Sequence, residues 1–225
     1  MSNTAPVRVA QCWDDGVTDD IRLIEILRKH GAKASFNLNA ALHKNDSSSG
    51  WRYKDMKDVQ RLPRGDLLSV YDGFLIANHT ATHPHLTRLA PADAAREIRE
   101  GKDTLEQLFG YPVTGFAYPY GDYNPAIEDA VREAGHIYAR TCVNVADVFP
   151  PDEPMAFHPN CHFHAADFWN RFNHVAERGG VFYFWGHSYE IVTEADWEAF
   201  DLQIGALSAN PRVRWVELPS LFTAG

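Results

Sequence analysis

Cysteine is scarce in this chain, with Cys12, Cys142 and Cys161 the only three in 225 residues. An odd number at spacings that match no zinc-binding pair argues against a disulfide-stapled scaffold, so they read as buried or free thiols and favour a reducing compartment. Long hydrophobic runs are missing too, since no stretch approaches the roughly 18 apolar residues a membrane span requires. Residues 1–8 include Asn3, Thr4 and Pro6 but no apolar run behind a basic start, and Asp14 and Asp15 follow soon after, so no export signal is visible. A cytoplasmic location without a membrane partner is the expectation. Positive charge is in deficit, with 21 Lys and Arg against 30 Asp and Glu and a net charge of -9. That balance opposes the phosphate neutralisation that drives nucleic-acid binding, which removes nucleic acid from the expected partners. Nor do Arg8, Arg22, Arg28 and Lys29 form the dense block that an anionic membrane surface attracts.

What is present suffices for a large core, with 45% hydrophobic and 23% charged residues. One domain over residues 1–225 is expected, and at this length it buries roughly 70–75% of the surface its unfolded chain exposes. No metal is needed merely to hold such a chain together, so a metal would point to function. Apolar runs at 7–13, 34–38, 74–77, 113–118, 137–143, 181–185 and 213–218 read as strands. Helical spacing marks 19–30, 91–109, 125–134 and 194–208, with Gly31, Gly110 and Gly135 as terminators of the first three. Residues 44–53 read as a loop and 54–71 as weakly helical with a break at Pro63 and Gly65. Strand followed by helix, repeated, predicts parallel strands with crossover helices in a barrel-like α/β fold, with an excursion leaving the repeat at 149–154.

Chemistry concentrates at strand ends. Trp13-Asp14-Asp15-Gly16 closes the first strand with two adjacent carboxylates that point different ways and can take separate roles, one on a metal and one on protons. Alone, the same tetrapeptide also suits a turn or a helix N-cap. In Asn78-His79-Thr80-Ala81-Thr82-His83 two imidazoles four residues apart share one face of a helical turn and can grip one ion. Two histidines and a carboxylate leave coordination positions open, as a hydrolytic zinc site or an open iron site requires. His85 stands just beyond Pro84 as a bystander. Tyr118-Pro119-Tyr120-Gly121 is a rigid turn whose amide at Tyr120 can face a site, or an ordinary strand-to-loop connection. Trp185-Gly186-His187-Ser188 offers His187 as a general acid.

Taken in order, Asp-Asp-Gly, His-x-x-x-His, Tyr-Pro-Tyr-Gly and Trp-Gly-His resemble the motifs of the polysaccharide deacetylase family, also called the NodB-homology domain or carbohydrate esterase family 4. The resemblance runs from about Val7 to Val216, and the first two motifs are its specific part. It implies a distorted (β/α) barrel, Asp14 as general base, and Asp15, His79 and His83 as ligands of a divalent metal, usually zinc, with Co2+, Ni2+ or Fe2+ as alternatives. It implies His187 as general acid and the Tyr120 amide as an oxyanion donor, in a hydrolase that removes N-acetyl or O-acetyl groups from a small-molecule or oligosaccharide substrate. Relatives that open cyclic ureides or imides, and a sugar-binding protein without catalysis, are the alternative readings. Oligomeric state is open.

One departure stands out. The third motif of the family usually opens with an arginine that pairs with the base, and here Ala117 occupies that place. Arg140, at the end of a later expected strand, is the replacement a guanidinium's reach allows, or else a surface residue. His158, His162 and His164, with Phe168 and Trp169, are expected to form a pocket wall or a plain loop, a second metal site being the other option. Trp13, Trp185 and Tyr189 offer sugar-stacking faces, or core packing.

Overall fold

The computed structural model describes residues 5–45 and 50–223. The first strand, β1 (Val7–Asp14), is buried along its length and pairs in parallel with three neighbours. Strand β9 (Gly180–Gly186) runs beside it from Val7 to Trp13. On its other edge β10 (Val213–Trp215) covers the first three residues, and β2 (Ser35–Leu38) covers Cys12 to Asp14. Beyond β2 the sheet continues through β5 (Leu75–Asn78), β6 (Gly115–Ala117) and β7 (Tyr138–Arg140), every pairing parallel. The short β8 (Cys161–His162) lies outside β9. Phe157 bridges to Arg140 on β7, and four residues later Cys161 pairs with β9, so one irregular segment joins the two edges. The sheet thus curls into a distorted (β/α) barrel.

Crossover helices α1 (Asp20–Lys29), α3 (Pro91–Phe109), α4 (Pro125–Glu133) and α6 (Glu194–Ala209) occupy the segments where helical spacing and terminators place them. Proline opens α3 and α4 at the position where a missing N–H costs nothing, and left-handed Gly110 closes α3. No helix among the described residues is long and apolar enough to cross a membrane.

The period of two along each strand decides what faces the barrel interior. On β1, Ala10 and Cys12 join Tyr138, Phe157, Val181 and Tyr183 in the interior cluster, whereas Val7, Val9 and Trp13 pack outward under the helices. Carried one step further, the inward face of β1 ends on Asp14, that of β7 on Arg140, and that of β9 on Trp185 and then His187. Three strands therefore deliver their polar terminal residues to the same mouth.

Several expectations are corrected. Residues 54–71 are not helical at their start: β3 (Gly50–Tyr53) and β4 (Lys57–Gln60) form an antiparallel hairpin. Lys54 and Asp55 both adopt left-handed backbone in its turn, the hand that matches strand twist, and Val59 packs with Val17 and Tyr189 beneath it. The helical part is a 3-10 turn at Arg64–Asp66 that runs into α2 (Leu67–Val70). Residues 46–49 of the expected loop lie outside the described residues. An unanticipated helix, α5 (Phe168–Arg178), buries Phe168, Phe172, Val175 and Ala176 against β9. The strands expected at 113–118, 137–143 and 213–218 shrink to three residues each.

Candidate active site

A cavity of about 360 Å³ at the barrel mouth is lined by Asp14, Asp15, His79, His83, Tyr118, Tyr120, Arg140, Cys142, Trp185, His187 and Tyr189. Asp14 sits beside Asn37 in the parallel register of β1 and β2, and the Asn37 amide donates to its Oδ1 at 2.6 Å. Arg140 donates from Nη2 to Asp14 Oδ2, and its guanidinium lies 4.7 Å from the centre of the Trp185 ring. Both partners of this pair are almost fully buried, at 1% and 3% side-chain exposure. The guanidinium therefore comes from β7 rather than from position 117, whose alanine carbonyl has another task below. Burial alone would raise the Asp14 carboxyl, but Arg140 first, then His79, His187 and the Asn37 amide, hold it well below the usual carboxylate range. Asp14 is thus an ionised carboxylate at any physiological pH.

Asp15 turns the opposite way because its backbone is left-handed, with φ 82°. Its Oδ1 is buried without a hydrogen-bond partner, 3.8 Å from His83 Nε2. Burial again opposes ionisation, and His187, His79, Arg61 and His83 overcome it, so Asp15 is also held below its ordinary value. Arg61, which closes the hairpin, donates to the Asp15 carbonyl and to Asn39 Oδ1, fixing the turn from outside the cavity.

The two histidines do not share a helical turn as expected. They lie in a loop where Thr80 and His83 are left-handed, with φ 67° and 61°, and their rings meet edge to face at 4.7 Å. Asn78 Oδ1 accepts from the Thr80 N–H, and Thr80 Oγ1 accepts from the His83 N–H, which holds a conformation a threonine otherwise avoids. Among the described residues, three of the six non-glycine residues with positive φ, Asp15, His83 and Tyr120, line this cavity, and a fourth, Thr80, lies in the loop that carries His79 and His83. Strain collected in this way marks the mouth as the site the fold is built to hold.

His79 Nδ1 donates to the Ala117 carbonyl at 2.8 Å, which assigns the proton to Nδ1 and leaves Nε2 as a bare acceptor. Burial pushes His79 down to about 4 and lowers His83 as well, so both rings are neutral near pH 7. Ligand atoms of Asp15, His79 and His83 fall within 4.8 Å of one another. A buried carboxylate oxygen that makes no hydrogen bond, with Arg61 Nη2 at 3.6 Å, beside two neutral imidazoles is a donor set that suits a divalent ion with open positions.

His187 stands across the cavity with Nε2 3.7 Å from Asp14 Oδ2 and 3.9 Å from Asp15 Oδ2. Its Nδ1 is 3.2 Å from Glu190 Oε2, an oxygen that also takes His162 Nε2 at 2.7 Å. Burial would lower His187, but Glu190, Asp14 and Asp15 outweigh it and raise the imidazole above its usual value. Glu190 was not singled out from the sequence. Its signal was the His-Ser-Tyr-Glu spacing, which puts a carboxylate three residues after the histidine on the turn Ser188–Glu190.

The remaining candidates are scattered. Ligand atoms of His162, His187 and Glu190 also cluster, but the His164 N–H donates to His162 Nδ1, which places the His162 proton on Nε2, aimed at Glu190. Glu190 thus takes His162 Nε2 at 2.7 Å and stands 3.2 Å from His187 Nδ1, which makes no hydrogen bond. His158 pairs with Thr141 and lines a different cavity, and His164 lies against Phe163 at the groove that also takes Phe168 and Trp169. Trp13 is fully buried against Phe163 and Phe200 and offers no face to a ligand, whereas Trp185 and Tyr189 do line the cavity. The three cysteines are unpaired, with Cys142 on the cavity wall and Cys12 buried against the Tyr183 hydroxyl.

Residues 2–139 match the family model described as polysaccharide deacetylase. The peptidoglycan-N-acetylmuramic acid deacetylase PdaC of Bacillus subtilis (strain 168) is 31% identical over 74 residues, 33% of this chain and 16% of that protein. The chitin deacetylase of Colletotrichum lindemuthianum is 28% identical over 118 residues, 52% of this chain and 43% of that protein. The chain thus spans less than half the length of these curated relatives. Among solved structures, a family 4 carbohydrate esterase from Streptomyces lividans in complex with acetate superposes with TM-score 0.58 at 19% identity, covering 92% of this chain and 90% of its own. That likeness carries the fold.

Proposed function

From the premise that this chain belongs to the polysaccharide deacetylase family, we propose that it is a metal-dependent hydrolase that removes N-acetyl, or O-acetyl, groups from a carbohydrate. The observation that carries the reading is one cavity in which a carboxylate held ionised by Arg140 stands beside a separate set of ligand atoms from Asp15, His79 and His83. The relatives named as deacetylases of peptidoglycan and chitin support the substrate class.

Asp15, His79 and His83 would hold the ion, with zinc favoured by two imidazoles and one carboxylate. A divalent ion there supplies Lewis acidity, polarising the acyl oxygen and lowering the pKa of a water. Asp14 accepts the proton of the attacking water through the carboxylate that Arg140 and Asn37 orient. The Tyr120 N–H donates to the acyl oxygen as negative charge develops on it. His187, whose imidazole the surrounding carboxylates raise above its usual value, gives its Nε2 proton to the leaving amine, while Glu190 Oε2, 3.2 Å from Nδ1, accepts from the His187 backbone N–H and holds the turn. Acetate and a free amine are the products.

The test is metal content by elemental mass spectrometry together with acetate release from N-acetylated chitooligosaccharides. Wild type is expected to retain about one divalent ion and to release acetate, and His83→Ala to do neither. Wild type that binds one ion yet opens a cyclic ureide ring instead of releasing acetate would replace this reading with the ureide hydrolase. Protein that binds no added zinc or cobalt would replace it with a sugar-binding one.

A further inference from the structure

We infer that His85, two residues past the ligand His83, is a positioning residue that clamps the turn at 119–122 so that Tyr120 presents its amide to the site. The inference rests on the deacetylase reading for what that amide does. Tyr120 has φ 59° and ψ 4°, a left-handed backbone that a tyrosine adopts only when its surroundings impose it. Burial does not impose it, because Tyr120 is 58% exposed. Two rings do: His85 stacks flat on the phenol at 3.7 Å between centroids and 10° between planes, and His83 meets it at 4.6 Å and 72°.

The same His85 reaches the far end of the turn. Its Nδ1 donates to Asp122 Oδ2, while the Gly121 N–H donates to the Tyr118 carbonyl at 3.0 Å and the Asp122 N–H to the Pro119 carbonyl at 3.1 Å. One imidazole therefore holds the ring of Tyr120 and the carboxylate two residues later. His85 is itself anchored, because Leu86 next to it is fully buried with Ile98, Phe116 and Tyr118. The clamp ties the loop that carries the metal ligands to the turn that carries the amide donor. Neither His85 nor Asp122 lines the cavity, so both act through Tyr120.

The test uses the full chain with four variants. His85→Ala removes both contacts, His85→Phe keeps a flat ring on Tyr120, His85→Asn keeps a donor near the place of Nδ1, and Asp122→Ala removes the acceptor. In His85→Ala the Gly121 and Asp122 amides are expected to exchange hydrogen faster, and kcat for acetate release to fall roughly 10- to 100-fold, the scale of a misplaced oxyanion donor. KM and metal content stay within about twofold. His85→Phe and His85→Asn each recover part of the loss, and Asp122→Ala adds less in the His85→Ala background than in wild type. Unchanged exchange overturns the clamp, as does unchanged kcat in an active enzyme, or a fall in kcat that tracks metal loss. If wild type releases no acetate from any substrate, the deacetylase reading fails by itself. The clamp then stands or falls on exchange, standing if His85→Ala speeds it and the Phe and Asn variants slow it again. Should His85→Ala fail to fold, Asp122→Ala carries the same comparison.

Discussion

Asp14 and Asp15 are neighbours with opposite environments, and the difference is one backbone angle. Asp14 ends the inward face of β1 and meets Arg140 and Asn37, whereas left-handed Asp15 carries an oxygen that makes no hydrogen bond, between Arg61 at 3.6 Å and His83 at 3.8 Å. Asp14→Asn should lower kcat by about 10²- to 10⁴-fold, the range for loss of a positioned base, with metal content unchanged. An asparagine variant that kept its activity would remove Asp14 from the mechanism. Glu190 supplies a second residue-scale prediction. His187 is raised by Glu190, Asp14 and Asp15 against the opposing effect of burial, so an acid step through it persists above the ordinary histidine value and is lost as pH rises further. Glu190→Gln should move the alkaline limb of kcat/KM to lower pH, and a limb that stays put would show that another group sets it. His187 was legible from the sequence because a histidine followed an apolar run, but Asn37 was not, since only the pairing of β1 with β2 sets it opposite Asp14.

Among the elements, α3 is packed unusually close to the loop that carries the histidines. Ala81 N–H donates to the Glu97 carbonyl, and Thr82 donates to the Glu97 carboxylate from both its amide and its hydroxyl. One turn further along, a Cβ on Gly101 would stand 2.4 Å from Asn78 Oδ1 and 2.8 Å from the Thr80 carbonyl carbon, so glycine is what permits the approach. Gly101→Ala should cost about 1–3 kcal/mol by overpacking and weaken metal binding by displacing the loop, despite alanine's better helix propensity. A melting temperature at or above wild type would show that the helix shifts freely. The helix itself was plain from its spacing, Pro91 and Gly110. Its contact with the loop was not, because sequence periodicity says which face is apolar and nothing about what lies against it. The hairpin of β3 and β4 was read as loop and weak helix because its strands are short and mostly polar; it exists because Val59 and Trp51 pack with Val17 and Tyr189.

For the whole molecule, two couplings to solution conditions follow. An ion at 100 times its dissociation constant adds about 2.7 kcal/mol to stability, which at this chain length is a melting shift of roughly 5–10 °C. A chelator should lower the melting temperature of wild type by that amount and leave His83→Ala unmoved, and equal shifts would place the ion elsewhere. The second coupling is Asp20, fully buried, whose carboxyl accepts from the Ser188 hydroxyl at 2.5 Å and the Tyr71 hydroxyl at 2.6 Å. Burial pushes it up to about 7 from 3.8 against those two donors. Between these values the folded chain holds a proton on Asp20 that the unfolded chain has released, so the contribution of Asp20 to stability falls as pH rises from about 4 to about 7 and is flat above, against the opposite slope of buried His43, His79 and His136. Asp20→Asn should flatten that fall, which denaturant unfolding of both proteins at pH 5 and pH 8 would check; parallel curves would mean Asp20 is ionised throughout. Sequence by itself determined the parallel alternation, the strand ends at which Asp14 and His187 stand, and the motif order of the family, because apolar period and strand-end chemistry are local properties. Only the tertiary structure decided that the guanidinium at Asp14 comes from Arg140 on β7, that Glu190 orients His187, and that His85 reaches across to Tyr120 and Asp122. Each of those joins elements distant along the chain or turns on a left-handed residue, and such contacts exist only once the sheet has curled and brought its strand ends to one mouth.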